Sequence, residues 1–190
     1  MTAARLVIGG PYGVGKTTFV GAASEIDPLR TDATVTDAST TTDRLLDPHK
    51  TTTTTLMDFG RLTFPDQRTM LLLYGVPGQD RFRFLWDHLM GPAIGAIVLV
   101  DTRDLNASFG SLDFFESSGR PFLVAVNHFA GSDRYTTGEI RHALQLPDHV
   151  PLLECDARSR ASARDVLIAF VHHALTTQPA TLAPSPGRPF

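Results

Sequence analysis

The chain has 190 residues, 42% of them hydrophobic, which suits one α/β domain with a full core and leaves little room for a second. Its 17 basic and 20 acidic side chains give a formal net charge of -3 with no basic block, so a nucleic-acid footprint is not indicated. The single cysteine, Cys155, excludes an internal disulfide and fits a reducing compartment.

Residues 5–9, with Leu6, Val7 and Ile8, predict a short buried strand, and 18–23 predict the start of a helix. Between them Gly10, Gly15, Lys16 and Thr17 satisfy G-x-x-x-x-G-K-[ST] in the strand–loop–helix context that a P-loop requires. Glycines there let backbone N–H groups wrap an anion, and the helix N-terminus adds partial positive charge. Lys16 is placed to reach β- and γ-phosphates and the Thr17 hydroxyl to ligate Mg²⁺. The competing interpretation, a glycine-rich turn with a chance lysine, does not account for the flanks.

Residues 29–50, rich in Thr and Asp, predict a long surface loop. The run Thr51–Thr55 is low in complexity but β-branched, and 56–64 continues it as an edge-side strand. Turn chemistry at Pro65, Asp66 and Gln67 leads to an antiparallel partner strand at 68–74. Gly75, Pro77 and Gly78 break that strand, and 81–90 predicts a helix with Phe82, Phe84, Leu85, Trp86 and Leu89 on one face. Leu85 and Leu89 read as packing residues, whereas Trp86 is ambiguous because it follows directly on the loop. The apolar run 93–100 is the signature of a strand buried on both faces, though too short to span a bilayer. A helix over 106–116, a buried strand over 121–126, a helix from Thr136 through Leu146 with Glu139 near its cap, a strand over 150–154 and a helix over 162–174 follow. Residues 176–190 contain four prolines and read as a disordered tail beyond a domain of residues 1–175.

Strands alternating with helices predict an α/β fold: a mostly parallel central sheet with one antiparallel edge strand and helices on both faces. Ligands in such folds bind outside the carboxyl ends of the strands. The segments 10–17, 75–80, 101–104, 127–131 and 155–158 all lie at such ends. Met1 to Ala4 run straight into the first strand and neither end carries a lipidation motif, so a cytoplasmic protein is expected, reaching a membrane only through partners.

Taken together, residues 10–18, 56–61, 73–82 and 98–103 resemble the small Ras-like GTPases, within the P-loop NTPase fold, over residues 5 to 175. The similarity is closest to the bacterial group that includes gliding-motility switch GTPases and the GTP-binding proteins of actinobacterial conservons. The resemblance implies GTP/GDP and Mg²⁺ as ligands, with Gly13, Val14, Gly15, Lys16, Thr17 and Thr18 in the phosphate cradle. Thr54 matches the switch I threonine that ligates Mg²⁺ alongside Thr17, with Thr55 the alternative register. Gly78 would offer its N–H to the γ-phosphate, and Gln79 would orient the attacking water beside Lys16; an exposed loop glutamine is the competing interpretation. Asn127 and His128, with Asp156, Ala157 and Arg158, would line the base, Ala157 through its backbone N–H.

Three departures from the family pattern stand out. Gly75 replaces the Asp that holds Mg²⁺ through water in typical GTPases; Asp58 is a nearby carboxylate, though its expected place is on the strand surface. Ala130 replaces the Asp of the guanine signature N-K-x-D, removing a paired base contact; Asp133 reads as a solvated loop residue. Tyr12 stands where signalling GTPases carry a small residue, and its ring would crowd Gln79. Arg44 in the switch I region and the His172–His173 pair read as solvated side chains, and Cys155 as inert. The implied function is a nucleotide-dependent molecular switch with slow, partner-stimulated hydrolysis, regulated by a roadblock-type protein and a sensor-kinase-like membrane component. A nucleotide-binding scaffold with little hydrolysis, and a P-loop ATPase of relaxed base specificity, remain open alternatives.

Overall fold

A computed structural model describes residues 2–36, 52–64 and 68–177. Seven strands form one sheet in the order β2-β3-β4-β1-β5-β6-β7. They are β1 (Thr2–Gly9), β2 (Leu29–Thr36), β3 (Thr52–Phe64), β4 (Thr69–Gly75), β5 (Gly95–Val100), β6 (Phe122–Asn127) and β7 (Leu152–Cys155). Strands β4, β1, β5, β6 and β7 are mutually parallel. Only β3 runs against the rest of the sheet, antiparallel to both β4 and β2.

Five helices cover the sheet: α1 (Lys16–Ala23), α2 (Arg83–Met90), α3 (Phe109–Ser117), α4 (Thr137–Ala143) and α5 (Arg160–Thr177). The alternation of side chains along each strand divides the core in two. Leu6, Ile8, Leu73, Ile97 and Leu99 face α1 and α5 through Phe19, Val20, Val166 and Phe170. Val7, Ala96, Val98 and Val124 face the other helices through Trp86, Phe115 and Ile140. All six residues of β5 are buried, as its continuous apolar run requires of a strand covered on both faces. Helix α4 starts at the predicted cap: the Thr136 hydroxyl accepts from the Glu139 N–H at 3.3 Å, and the Glu139 carboxylate accepts from the Thr136 N–H at 2.7 Å. The Thr136 N–H and hydroxyl, both donating to the Glu139 carboxylate, hold its carboxyl below the usual range.

Two expectations change. The segment 29–36, expected to be loop, is strand β2, which pairs residue for residue with β3 from Leu29↔Phe59 to Thr36↔Thr52. The antiparallel strand therefore sits one place in from the edge, and β2 takes the edge. The stretch does alternate, with Leu29, Ala33 and Val35 set between Arg30, Asp32, Thr34 and Thr36, but its aspartate and threonines read as loop until the partner strand pairs with it. The final helix also runs three residues further than expected, through Thr177. The remainder of the expected switch I region (37–51, including Arg44) and the tail from 178 lie outside the described residues.

The far half of β3 is pinned to the end of α1. The Ser24 hydroxyl accepts from the Arg61 N–H at 3.1 Å, and the Glu25 N–H donates to the Arg61 carbonyl at 2.8 Å. The Glu25 carboxylate takes the Thr63 N–H at 3.0 Å, the Thr63 hydroxyl and the Arg61 guanidinium, which holds its carboxyl below the usual range. Gly60 makes this approach possible, since a Cβ there would lie 2.8 Å from Val20 Cγ1 and 3.1 Å from Ser24 Cβ. Gly60→Val is expected to destabilise the fold by about 1–3 kcal/mol through overpacking, measured as a lower midpoint of denaturant unfolding at unchanged slope.

Candidate functional site

The loops that follow β1, β4, β6 and β7 gather at the carboxyl ends of the parallel strands, as the alternating pattern anticipates. The P-loop leaves β1 through Gly10, Gly13 and Gly15, with φ of 127°, 79° and 101°, a region that L side chains rarely adopt. Val14 is buried and anchors the loop from below, while Thr17 and Thr18 stand exposed in the first turn of α1. Lys16 folds back along the loop: its Nζ donates to the Gly10 carbonyl at 2.8 Å and the Pro11 carbonyl at 2.6 Å. Burial pushes its pKa down to about 8, with Asp58 pulling the other way. The ammonium is thus held in place before any phosphate arrives, so little side-chain entropy remains to be lost on binding.

Asp58 is the main correction to the sequence analysis. It is not a surface strand residue but 9% exposed, and its Oδ2 accepts from the Thr17 hydroxyl at 2.6 Å. The period of two along β3 explains the placement, since Asp58 shares a face with Gly60 and Leu62, which pack toward α1. Its partner across the ladder is Gly75. A Cβ on Gly75 would come within 3.0 Å of Asp58 Cβ and 3.3 Å of its Oδ2. The bare glycine makes room for the Asp58 carboxylate beside Thr17. A hydroxyl and one carboxylate, completed by phosphate oxygens and water, suit a small hard cation such as Mg²⁺, which is seldom held by an all-protein cage. Thr54, the other expected ligand, lies in β3 opposite Thr34 of β2, four residues before Asp58.

Gly78 packs directly on the P-loop: a Cβ there would lie 2.4 Å from the Pro11 carbonyl carbon and 2.5 Å from the Tyr12 nitrogen. Gln79 is exposed, and its Oε1 accepts from Arg81 Nε at 3.0 Å. Tyr12 is 81% exposed, its ring turned to solvent rather than packed over Gln79. Trp86, ambiguous from sequence, is fully buried with its indole N–H on the Pro77 carbonyl at 2.9 Å.

At the other end of the cleft, Asn127 braces two loops. Its Nδ2 donates to the Val14 carbonyl and its Oδ1 accepts from the Ala157 N–H, both at 2.9 Å. The Ala157 N–H expected to meet a base is therefore engaged by Asn127 here. His128 brings Nε2 to 3.4 Å from the Glu154 carboxylate. Asp156 and Arg158 pair at 2.9 Å, and those bonds hold the Asp156 carboxyl at about 2. Ala130 offers only an exposed methyl at the position of the guanine-reading carboxylate. Phe129, just before it, lies under the Arg103 guanidinium at 3.7 Å, and Arg103 is held by Asp101 at 2.6 Å. Sequence inspection gave no signal for that stack, because its partners are 26 residues apart on different loops. Cys155 is buried, which pushes its thiol up to about 11 and agrees with an inert role.

Two outcomes follow from this geometry. In Asp58→Asn, Mg²⁺ is expected to lose most of its ability to tighten nucleotide binding: the dissociation constant in Mg²⁺ rises about tenfold, while that in excess chelator stays within about twofold. Isothermal titration with and without Mg²⁺ reads the difference. The depressed Lys16 pKa predicts a pH dependence of the wild type. Phosphate binds the ammonium form, so affinity is full below pH 8 and falls as pH rises through it. Between pH 7 and pH 9 the dissociation constant is expected to rise about tenfold.

Comparisons with known proteins agree with this architecture. The G domain of FeoB from Methanococcus jannaschii superposes with a TM-score of 0.61 at 12% identity, covering 92% of this chain and 99% of that one. The G domain of the T. maritima FeoB iron transporter gives 0.64 at 15% identity, covering 90% and 99%. The larger cytosolic domain of the same transporter, solved in a GDP form, gives 0.65 at 14% identity, with 64% of its length covered. At these identities the likeness is one of fold, that of a P-loop G domain. No curated protein matches the sequence. A family model described as conserved hypothetical ATP binding protein matches residues 7–177, a span that takes in every loop of the cleft, and the chain belongs to that family.

Proposed function

We propose that this protein binds GTP and GDP with Mg²⁺ and acts as a molecular switch, hydrolysing GTP slowly unless a partner stimulates it. The observation that carries the reading is the convergence on one spot of the Lys16 ammonium, the Thr17–Asp58 pair and the Gly78 backbone. Lys16 and the P-loop N–H groups hold the β- and γ-phosphates. Thr17 and Asp58 would hold the Mg²⁺, with Thr54 joining them, and the ion would neutralise phosphate charge there. Gly78 meets the terminal phosphate, so its loop senses whether that phosphate is present.

Gln79 is the residue that would orient the attacking water. Its carboxamide is held by Arg81 in this structure, which gives a physical reason for slow turnover. A regulator that took Arg81 for itself would free Gln79. The resemblance of the sequence suggests a roadblock-type protein in that role, with a sensor-kinase-like component at the membrane. No described helix is long and apolar enough to cross a bilayer, so attachment would come through such partners.

Base selection favours a second reading, a P-loop ATPase of relaxed specificity. The Ala130 side chain cannot accept hydrogen bonds from guanine, and without a polar side chain there to leave unpaired the cleft has little means of rejecting adenine. Single-turnover assays with GTP and ATP on wild type and Gln79→Ala test both readings. The expected result is GTP hydrolysis on the order of 10⁻⁴–10⁻³ s⁻¹, falling at least about tenfold in Gln79→Ala, with ATP binding within about tenfold of GTP. Clear preference for ATP would replace the guanine label. Equal, negligible rates in wild type and variant, with the partner present, would leave a nucleotide-binding scaffold.

A further inference from the structure

Trp86 is the chain's only tryptophan and is 1% exposed on α2. A buried indole N–H needs an acceptor. Here the acceptor is neither in its own helix nor a side chain but the Pro77 carbonyl, nine residues back, at 2.9 Å. That carbonyl belongs to the Pro77–Gly78 peptide. The described residues contain no cis peptide bond, and a trans peptide is planar with its C=O and N–H pointing in opposite directions. Fixing the oxygen of this unit therefore fixes the direction of the Gly78 N–H. No hydrogen bond among the described residues uses that N–H, and Gly78 itself rests on the backbone of Pro11 and Tyr12.

The indole is held from behind with equal care. Phe115 stacks on it at 5.7 Å with an interplanar angle of 13°, and Phe114 meets it edge-on at 5.1 Å. Phe115 in turn covers Gly9, the last residue of β1 before the P-loop: a Cβ there would lie 2.2 Å from its ring. The path from Gly9 through Phe115, Trp86 and Pro77 to Gly78 starts and ends at the P-loop.

We propose that Trp86 is a positioning residue: its indole N–H orients the Pro77–Gly78 peptide so that the Gly78 N–H faces a terminal phosphate, which makes the protein favour triphosphate over diphosphate. The inference rests on the P-loop nucleotide site proposed above. Its consequence is a discrimination between nucleotide states that depends on one buried donor rather than on the packing around it.

The test compares wild type, Trp86→Phe and Phe114→Leu, with the diphosphate and the non-hydrolysable triphosphate analogue of whichever purine binds more tightly. Trp86→Phe keeps an aromatic ring and loses the donor; Phe114→Leu loosens the packing and keeps it. In Trp86→Phe the diphosphate is expected to bind within about twofold of wild type, while analogue affinity falls roughly five- to tenfold, the loss of one buried hydrogen bond. Phe114→Leu lowers the melting temperature and leaves the ratio of the two affinities unchanged. In wild type, emission from the single tryptophan differs between the two nucleotide complexes. A wild-type ratio in Trp86→Phe, an equal shift in Phe114→Leu, or identical wild-type emission in both complexes overturns the proposal. Hydrolysis by the wild type, measured in parallel, separates the two ideas. A shifted ratio without any hydrolysis upholds Trp86 and removes the hydrolase reading, and hydrolysis with an unshifted ratio does the reverse.

Discussion

The hydrogen bond from the Thr17 hydroxyl to the Asp58 carboxylate joins the two halves of this structure. Thr17 belongs to the helix that opens the phosphate cradle, and Asp58 to the one strand that runs against the rest of the sheet. For the bond to form, β3 must pair with β4 in one register, because a slip by one residue would turn Asp58 to the other face. The Ser24 and Glu25 bonds to Arg61 and Thr63, and the close approach allowed by Gly60, hold that register. Gly75 then completes the arrangement by leaving space. Gly75 carries no side chain, and the Asp58 carboxylate of the adjacent strand stands in the space beside it.

The two ends of the cleft are built on different principles. At the phosphate end, backbone groups, one ammonium and one carboxylate are already in place, and the cost of gathering them has been met in folding. At the base end, the geometry is internal: Asn127, at the end of β6, ties the loop of Val14 to the loop of Ala157. The groups that would discriminate a purine are replaced by a methyl at Ala130 and by an Arg103–Phe129 stack beside it. Under the proposed function, such a site would bind through its ligand's phosphates and read the base weakly, since discrimination comes from polar groups that go unpaired with the wrong ligand.

Between these ends, the segment after β4 is held at two points that differ in kind. Gly78 touches the P-loop through backbone alone, whereas Trp86 reaches it through a buried side-chain donor backed by two phenylalanines. Under the proposed function, contacts of the first kind would respond to what occupies the cradle, and contacts of the second kind would carry that response into the core between α2 and α3. Interiors packed this closely respond by switching between discrete arrangements rather than by gradual deformation.

Local chemistry determined the parts that depend on neighbours in sequence. The P-loop was legible because its glycines, lysine and threonine act within eight residues, and the buried strands because β5 and, up to Asn127, β6 are runs without a polar side chain. The α4 capping box was legible for the same reason. What the sequence left open depends on residues distant along the chain. Asp58 looked like a surface residue until β3 was registered against Gly75 and α1, 17 and more residues away. Strand β2 carries only a short alternation diluted by aspartate and threonine, and its ladder with β3 makes it a strand. Tyr12 seemed to lean over the cradle, yet the left-handed turns of the P-loop present its ring to solvent. Trp86 could not be assigned because its acceptor is a backbone carbonyl, a group that every residue carries and no sequence distinguishes. Tertiary structure alone decides which carbonyl a buried donor meets, because burial removes water as the alternative partner.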